Sequence, residues 1–525
     1  MKRFSLLSLA GLILLAACTQ PAPEQSAPVA AAVTASELAT RMLDTMGGRA
    51  ALESIDTLVQ KGGGTRRNFG QIPSTGADDP IGLLIDLTET IDLANGRAAF
   101  DNTVQIGEGF SQHRTEAYTT YKGQALGWGT TEGRPNHVTS VNGLFSWATH
   151  NTPEMLLRRN VVTIALAATD AQEGVEELEL DGTRYWFLTT QLNGEKVGLY
   201  VDRESSQLKA WSVIDTETMR GDLEALYIVG EWKPVGTVVL PHTLTIRKNG
   251  EEYAQLTYEE ITVNDAAALA VFDIPQDVVA QADEVVAANG KAWVSLQWNP
   301  VAENVTHVVA FSHHSMVVEF PSFVVVVEGP YTEGQSLMLA RMIEENIGKP
   351  VRYVVPTHPH YDHTGGIRGF ASLGANVLVA GGHEAELRKI VESPHSNPPD
   401  ALARNLAAGA EVGRIEVFMG MTEITEGAQT LQLFEVQGIP HVGPKVLPFV
   451  PSTGVLFQSD LFFGAPSPDA SALFEAIKER GLAVQQIVGG HGGVLPYSSL
   501  EAAMEPAPTN PPPEGEVTQP SDAAN

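Results

Sequence analysis

Cysteine is nearly absent from this chain: Cys18 is the only one in 525 residues. No internal disulfide can form, and no thiolate is left in the body of the chain as a metal ligand or nucleophile. Positive charge is also scarce, with 33 Lys+Arg against 63 Asp+Glu and a formal net charge of −30. That balance disfavours nucleic acid and anionic membrane surfaces as partners. After the first few residues no apolar run is long and charge-free enough for a transmembrane helix. What is present is an acidic, globular composition, long enough for about two to four domains with ample cores.

The front of the chain reads as an address. Lys2 and Arg3 precede the apolar stretch Leu6 to Leu15, which is too short to span a bilayer, and small residues follow. Leu15-Ala16-Ala17-Cys18 resembles the lipobox of bacterial lipoproteins, which implies cleavage after residue 17 and lipidation of Cys18. Thr19 follows in place of Asp, so the expectation is a cell-envelope lipoprotein at the outer membrane, facing the periplasm and held there by its lipid anchor. Residues 19–33 are rich in Ala, Pro, Gln and Ser and read as a flexible linker, and residues 501–525 as a Pro-rich tail without structure of its own.

Residues 34–280 read as a β-rich domain after one opening helix. Thr34-Ala35-Ser36-Glu37 has the form of a capping box, with Leu38, Met42 and Met46 recurring every fourth residue behind it. Asn95-Gly96, Asp181-Gly182, Asn193-Gly194 and Asn249-Gly250 each separate apolar or alternating runs, the pattern of tight hairpins. Successive hairpins predict an antiparallel sheet, curled or closed to manage its edges, with a last strand halted at Phe272-Asp273-Ile274-Pro275. Such a tethered sheet resembles the half-barrels of lipoprotein carriers that bind acyl chains. His113, His137, His150 and His242 are scattered and read as structural, and the glycine-rich run Gly123 to Gly129 as a bulge or bend.

From about residue 285 to 500 the pattern changes to short apolar runs alternating with helical segments, which predicts sheets covered by helices. Strands are expected at Met316 to Phe320, Phe323 to Val327, Val351 to Val355, Asn376 to Ala380, Ile415 to Phe418, Thr430 to Val436, Val455 to Phe457 and Gln486 to Val488, with a helix over Gln335 to Asn346. Directly after the Val351 to Val355 run comes His358-Pro359-His360-Tyr361-Asp362-His363, in which four of six side chains can bind a metal. Imidazole and carboxylate are the donors that zinc and similar ions choose. His441 after Pro440, Asp460 after an apolar strand, and His491 between two Gly-Gly pairs are further donors at strand ends. The His313-His314 pair and His383 are candidates to line the pocket here, with a surface position the favoured reading for each.

Thr357 to Gly366 resembles the HxHxDHxGG signature of the metallo-β-lactamase superfamily, and the segments around His441, Asp460 and His491 are similar to its later motifs in the same order. The resemblance covers roughly residues 305–495 and implies an αβ/βα sandwich. It implies one ion held by His358, His360 and His441, a second by Asp362, His363 and His491, and Asp460 bridging them, the ions being divalent with zinc the expected metal. Asp362 would then orient the nucleophile and pass on its proton, and Glu328 would accept the N–H of a ligating ring. The activity implied is hydrolysis by a metal-bridged hydroxide of a small-molecule ester, lactone, thioester, amide or phosphoester, falling off in acid. Two other readings stand beside it: an oxygen-dependent enzyme with one iron, and a lipid-binding envelope lipoprotein with secondary activity.

Overall fold

The computed structural model describes residues 33–71, 78–107, 110–131, 134–141, 159–170, 174–287, 296–310 and 313–505. The expected signal peptide, the lipidated Cys18, nearly all of the 19–33 linker and most of the 501–525 tail lie outside the described residues. Ordered chain does run past residue 500, because helix Tyr497–Met504 buries Leu500 in the C-terminal core.

Thirteen antiparallel strands form one sheet in the N-terminal part. Six run as a meander from Thr57–Arg67 to Arg134–Val141 and seven from Glu176–Leu180 to Glu251–Val263. The first strand pairs with the last, Leu58 opposite Val263, which joins the two meanders. The outermost strands, Arg134–Val141 and Glu176–Leu180, are not paired with each other among the described residues. All four predicted hairpin turns lie between paired strands. Asn193-Gly194 and Asn249-Gly250 take φ values of 53° and 84°, and 49° and 82°, the left-handed pair that a two-residue turn requires. Thr34 and Glu37 cap helix Ala35–Thr45 reciprocally, and Leu38, Met42 and Met46 are buried in the sheet's core with Trp211 and Tyr227. The glycine-rich run lies on a strand whose pairing slips at Gly127 and at Gly129, as a bulge does.

The strand expected up to Phe272 is absent. The last strand stops at Val263, a 3-10 helix occupies Ala266–Phe272, and Pro275 opens the way to helix Gln276–Ala287. The physical reason is local: Asp265 caps the turn through the Ala267 N–H at 2.9 Å, and the alanine-rich run has no strand alternation. Val278 and Ala282 bury that helix on the sheet beside Trp128.

The C-terminal part is two sheets packed face to face with helices outside. Seven strands follow in sequence order from Gln297–Ala302 to Ile415–Phe418, and six from Met421–Glu426 to Val494–Pro496. Strand Val324–Val327 shows why every residue is apolar. Val324 and Val326 pack under the helices with Leu339 and Phe370, while Val325 and Val327 face the second sheet with Leu433 and Phe457. A strand covered on both faces loses alternation. Helices Pro468–Glu479 and Tyr497–Met504 cover the other side of the second sheet.

Candidate metal centre

The strand Val351–Val355 ends the buried run, and the chain then turns into a one-turn helix, Tyr361–Thr364, that projects its side chains over the sheet ends. Across the sandwich, strand Val455–Gln458 delivers Asp460 to the same place. Gln458 fixes that turn by accepting the Leu461 and Phe462 N–H groups at 2.8 and 3.1 Å. Asp460 sits at φ 63° and Glu328, at the end of its own strand, at φ 64°. Backbone in this region is uncommon for residues other than glycine and clusters where a side chain must be aimed.

All seven donors expected from the sequence are brought together. Donor atoms of His358, His360, His441 and Asp460 lie within 4.8 Å of one another, as do those of His313, Asp362, His363 and His491. Asp460 stands between the groups. Its Oδ2 lies 3.0 Å from His358 Nε2, 3.1 Å from His363 Nε2 and 3.3 Å from His441 Nε2, and its Oδ1 is 2.7 Å from His491 Nε2. The Asp469 carboxylate fixes the His441 backbone by accepting its N–H at 2.7 Å.

The arrangement fits cations. His441 Nε2 and His360 Nδ1 face each other at 3.3 Å, as do His491 Nε2 and His363 Nε2. His358 Nε2 is buried without an aligned hydrogen bond, although the Asp460 carboxylate is beside it. Ring nitrogens crowded this way around a carboxylate need a proton or a metal between them, and the nitrogen and oxygen donors suit zinc-like ions.

Electrostatics follows from the crowding. Burial opposes the charge on Asp362 and Asp460, but neighbouring histidines, with Lys445 beside Asp460, hold both carboxyls well below the usual range. Burial also opposes charge on His363, and the surrounding Asp460, Glu328 and Asp362 carboxylates outweigh it and raise that ring. His358 is driven far down by burial and by the nearby cations. Lys445 is itself fully buried, with Nζ 3.3 Å from Asp460 Oδ2, and burial pushes its ammonium down.

The acids and histidines are held from behind. Glu328, entirely buried, accepts from His363 Nδ1 at 2.9 Å and from the Thr357 hydroxyl at 2.5 Å, while Thr357 Oγ1 lies 2.8 Å from His358 Nδ1. Gly490 passes so close that a Cβ there would fall 2.4 Å from Ser459 Oγ and 2.8 Å from Glu328 Oε2.

Three expectations from the sequence need correction. His313, His314 and His383 are not surface residues, at 5%, 6% and 1% exposure. His383 hydrogen-bonds the Pro444 carbonyl. His314 packs its ring against His307, and burial lowers its pKa to about 3. His313 stands in the centre itself, with Nε2 2.7 Å from Asp362 Oδ2 and Nδ1 against the Tyr331 hydroxyl. Burial brings its pKa to about 4, so the neutral ring donates from Nε2 and accepts the Tyr331 O–H. A residue that follows the first strand of the N-terminal sheet also reaches the centre: Gln71 Nε2 donates to Asp362 Oδ1 at 2.9 Å. A histidine doublet was the only sequence signal for His313, and nothing local marks Gln71.

Residues 308–486 match the family model described as the metallo-beta-lactamase superfamily. Similar solved structures include a metallo-beta-lactamase from Pontibacter korlensis, 20% identical over 39% of this chain and 96% of that one, with a TM-score of 0.30. Another is the metallo-beta-lactamase FIM-1 from Pseudomonas aeruginosa in its mono-zinc form, 17% identical over 40% and 93%, with a TM-score of 0.30. A third comes from Hirschia baltica, 14% identical over 40% and 95%, with a TM-score of 0.29. Residues 308–486 thus match the metallo-beta-lactamase superfamily model, and the C-terminal part has that fold, preceded by a large antiparallel β-sheet domain.

Proposed function

We propose that this protein is a dinuclear metal-dependent hydrolase of a small ester, lactone, thioester, amide or phosphoester, with zinc as the metal. The observation that carries the reading is the Asp460 carboxylate facing donors of both groups at once, three within 3.3 Å of Oδ2 and one at 2.7 Å from Oδ1. His358, His360 and His441 would hold one ion, Asp362, His363 and His491 the other, with Asp460 shared. Divalent ions bound there would supply Lewis acidity and make water a stronger acid near neutral pH. Asp362 has an oxygen on each side of its carboxylate engaged by a donor, which orients it toward a nucleophilic water and leaves lone pairs to take the proton. His313 and Tyr331 behind it form a short hydrogen-bonded chain, from the Tyr331 hydroxyl to His313 Nδ1 and from His313 Nε2 to Asp362 Oδ2, that holds the carboxylate in place. Imidazole ligands must be neutral, so metal uptake and activity fall in acid. The lipobox at the front supports placing the enzyme in the cell envelope on a lipid anchor at Cys18.

The test is metal analysis of the purified protein together with a panel of chromogenic esters, lactones, thioesters, phosphodiesters and a cephalosporin, with and without chelator. Two ions per chain and chelator-sensitive turnover are expected, and Asp460→Ala should lose both. One stoichiometric iron with oxygen consumption would overturn the hydrolase.

A further inference from the structure

Resting on that reading, we infer that the N-terminal domain completes the catalytic centre, with Gln71 as a positioning residue for Asp362. The two carboxylate oxygens of Asp362 are held from opposite halves of the chain: Oδ2 by His313 Nε2 at 2.7 Å and Oδ1 by Gln71 Nε2 at 2.9 Å. A carboxylate oxygen has two lone pairs, so each keeps one for a cation or a water while its plane is fixed. The chemistry of the residue suits that task. A primary amide donates without titrating, whereas a lysine would bring a charge competing with the ions and a carboxylate would repel Asp362.

The segment that presents Gln71 is built for it. The Gly70 carbonyl accepts the Tyr361 N–H at 2.8 Å, one residue before Asp362, so backbone and side chain grip the same helical turn. Gly70 has φ 77°, and a Cβ there would fall 2.9 Å from Tyr361 Cβ and 3.1 Å from Met219 Cγ, so only glycine allows the approach. Asp79 accepts the Gly70 N–H at 2.7 Å and is ion-paired with Arg220. The Arg220 guanidinium lies 3.8 Å over the Phe69 ring, and Phe69 packs on Tyr253 with centroids 4.9 Å apart. Phe69, Gly70 and Asp79 are therefore clamped to the end of the thirteen-stranded sheet. A domain contact incidental to the chemistry would not need a glycine at the crossing and a charged clamp behind it. The N-terminal sheet acts here as a wall of the enzyme, so the centre is incomplete in the C-terminal part alone.

Groups that orient metal ligands from behind typically change affinity 10–100-fold when removed. The experiment uses the full chain, with Gln71→Ala and the same-length Gln71→Glu, titrated with zinc against a chromophoric chelator and assayed for turnover. Expected is a loss of about 10–100-fold in affinity for one of the two ions, the other unchanged. The fall in turnover should appear in kcat with KM nearly constant, as expected of a residue that acts through Asp362. Equal affinities in wild type and both variants would overturn the inference. So would equal weakening of both ions, the signature of a generally loosened fold, or a change in KM alone. Wild-type protein that takes up no ion would overturn the proposed function and this inference with it, which separates the two failures.

Discussion

Glu328 ends the all-valine strand Val324–Val327 with its carboxylate buried and divided between His363 and Thr357. Burying a carboxylate is costly unless charged or polar groups meet it, and here they are the His363 ring and the Thr357 hydroxyl, which lies beside the His358 ring. Glu328→Gln keeps the shape and removes the charge that makes His363 a stronger donor toward metal. The expected result is about a 10–100-fold loss of zinc affinity with secondary structure intact, read by chelator competition and circular dichroism. An unchanged affinity would show that Glu328 is only a packed acid. At this scale the sequence was legible where the chemistry is local, since the run from His358 to His363 places four donors within six residues. His313 and Lys445 were not legible. Burial is a property of what folds over a residue, and nothing near either one announces it.

Elements were read well where periodicity and turn chemistry agree. Val351–Val355, Asn376–Ala380 and Ile415–Phe418 lie at the residues expected, and the four Asx-Gly turns connect paired strands. Strands Gln297–Ala302 and Lys445–Val450 were missed because each carries a proline, Pro300 and Pro448, inside a short run. The helix Ile367–Ser372, which follows the histidine-rich turn, illustrates a further hidden device. Its Arg368 is 3% exposed, donates to both Asp400 oxygens, and caps the Ile390, Val391 and Ser393 carbonyls. Removing one member of a buried pair leaves the other uncompensated, so Arg368→Met is expected to destabilise the C-terminal part by about 3–5 kcal/mol in chemical denaturation. Asp400 adds a pH signature. Burial opposes its charge but the Arg368 hydrogen bonds outweigh it, so its folded pKa is lowered. Its contribution is fully present above the ordinary carboxyl pKa and is lost as pH falls through the lowered folded value. Asp400→Asn should flatten that acid limb; an unaltered limb would refute the assignment.

Over the whole molecule, the decisive contacts join residues hundreds of positions apart, which no local pattern encodes: Gln71 with Asp362, and the hairpin around Asp222 with the loop at Ser396. The Asp222 N–H donates to the Pro394 carbonyl at 2.7 Å, and its carboxylate accepts the Ser396 N–H at 2.9 Å and the Ser396 and Thr216 hydroxyls at 2.5 and 2.6 Å. Asn397 reaches back to Thr216 Oγ1 and the Ile214 carbonyl. This part of the seam is polar, although Met219 of the same hairpin is buried with Tyr361 in the C-terminal core, and polar interdomain contacts hold less firmly than apolar cores. Each half has its own core, so the seam should yield before either half does. Burial opposes the Asp222 charge, and its bonds to Ser396 and Thr216 outweigh that and lower its pKa, so docking is complete above the ordinary carboxyl pKa and weakens as pH falls through the folded value. Asp222→Ala should therefore raise hydrogen exchange across residues 393–398 at neutral pH while the buried strand Val351–Val355 stays protected. In wild-type protein the same pattern should emerge on acidification. If the variant exchanges like wild type at that loop, the halves are held elsewhere, and the contacts of Gly70, Gln71 and Met219 must carry the docking.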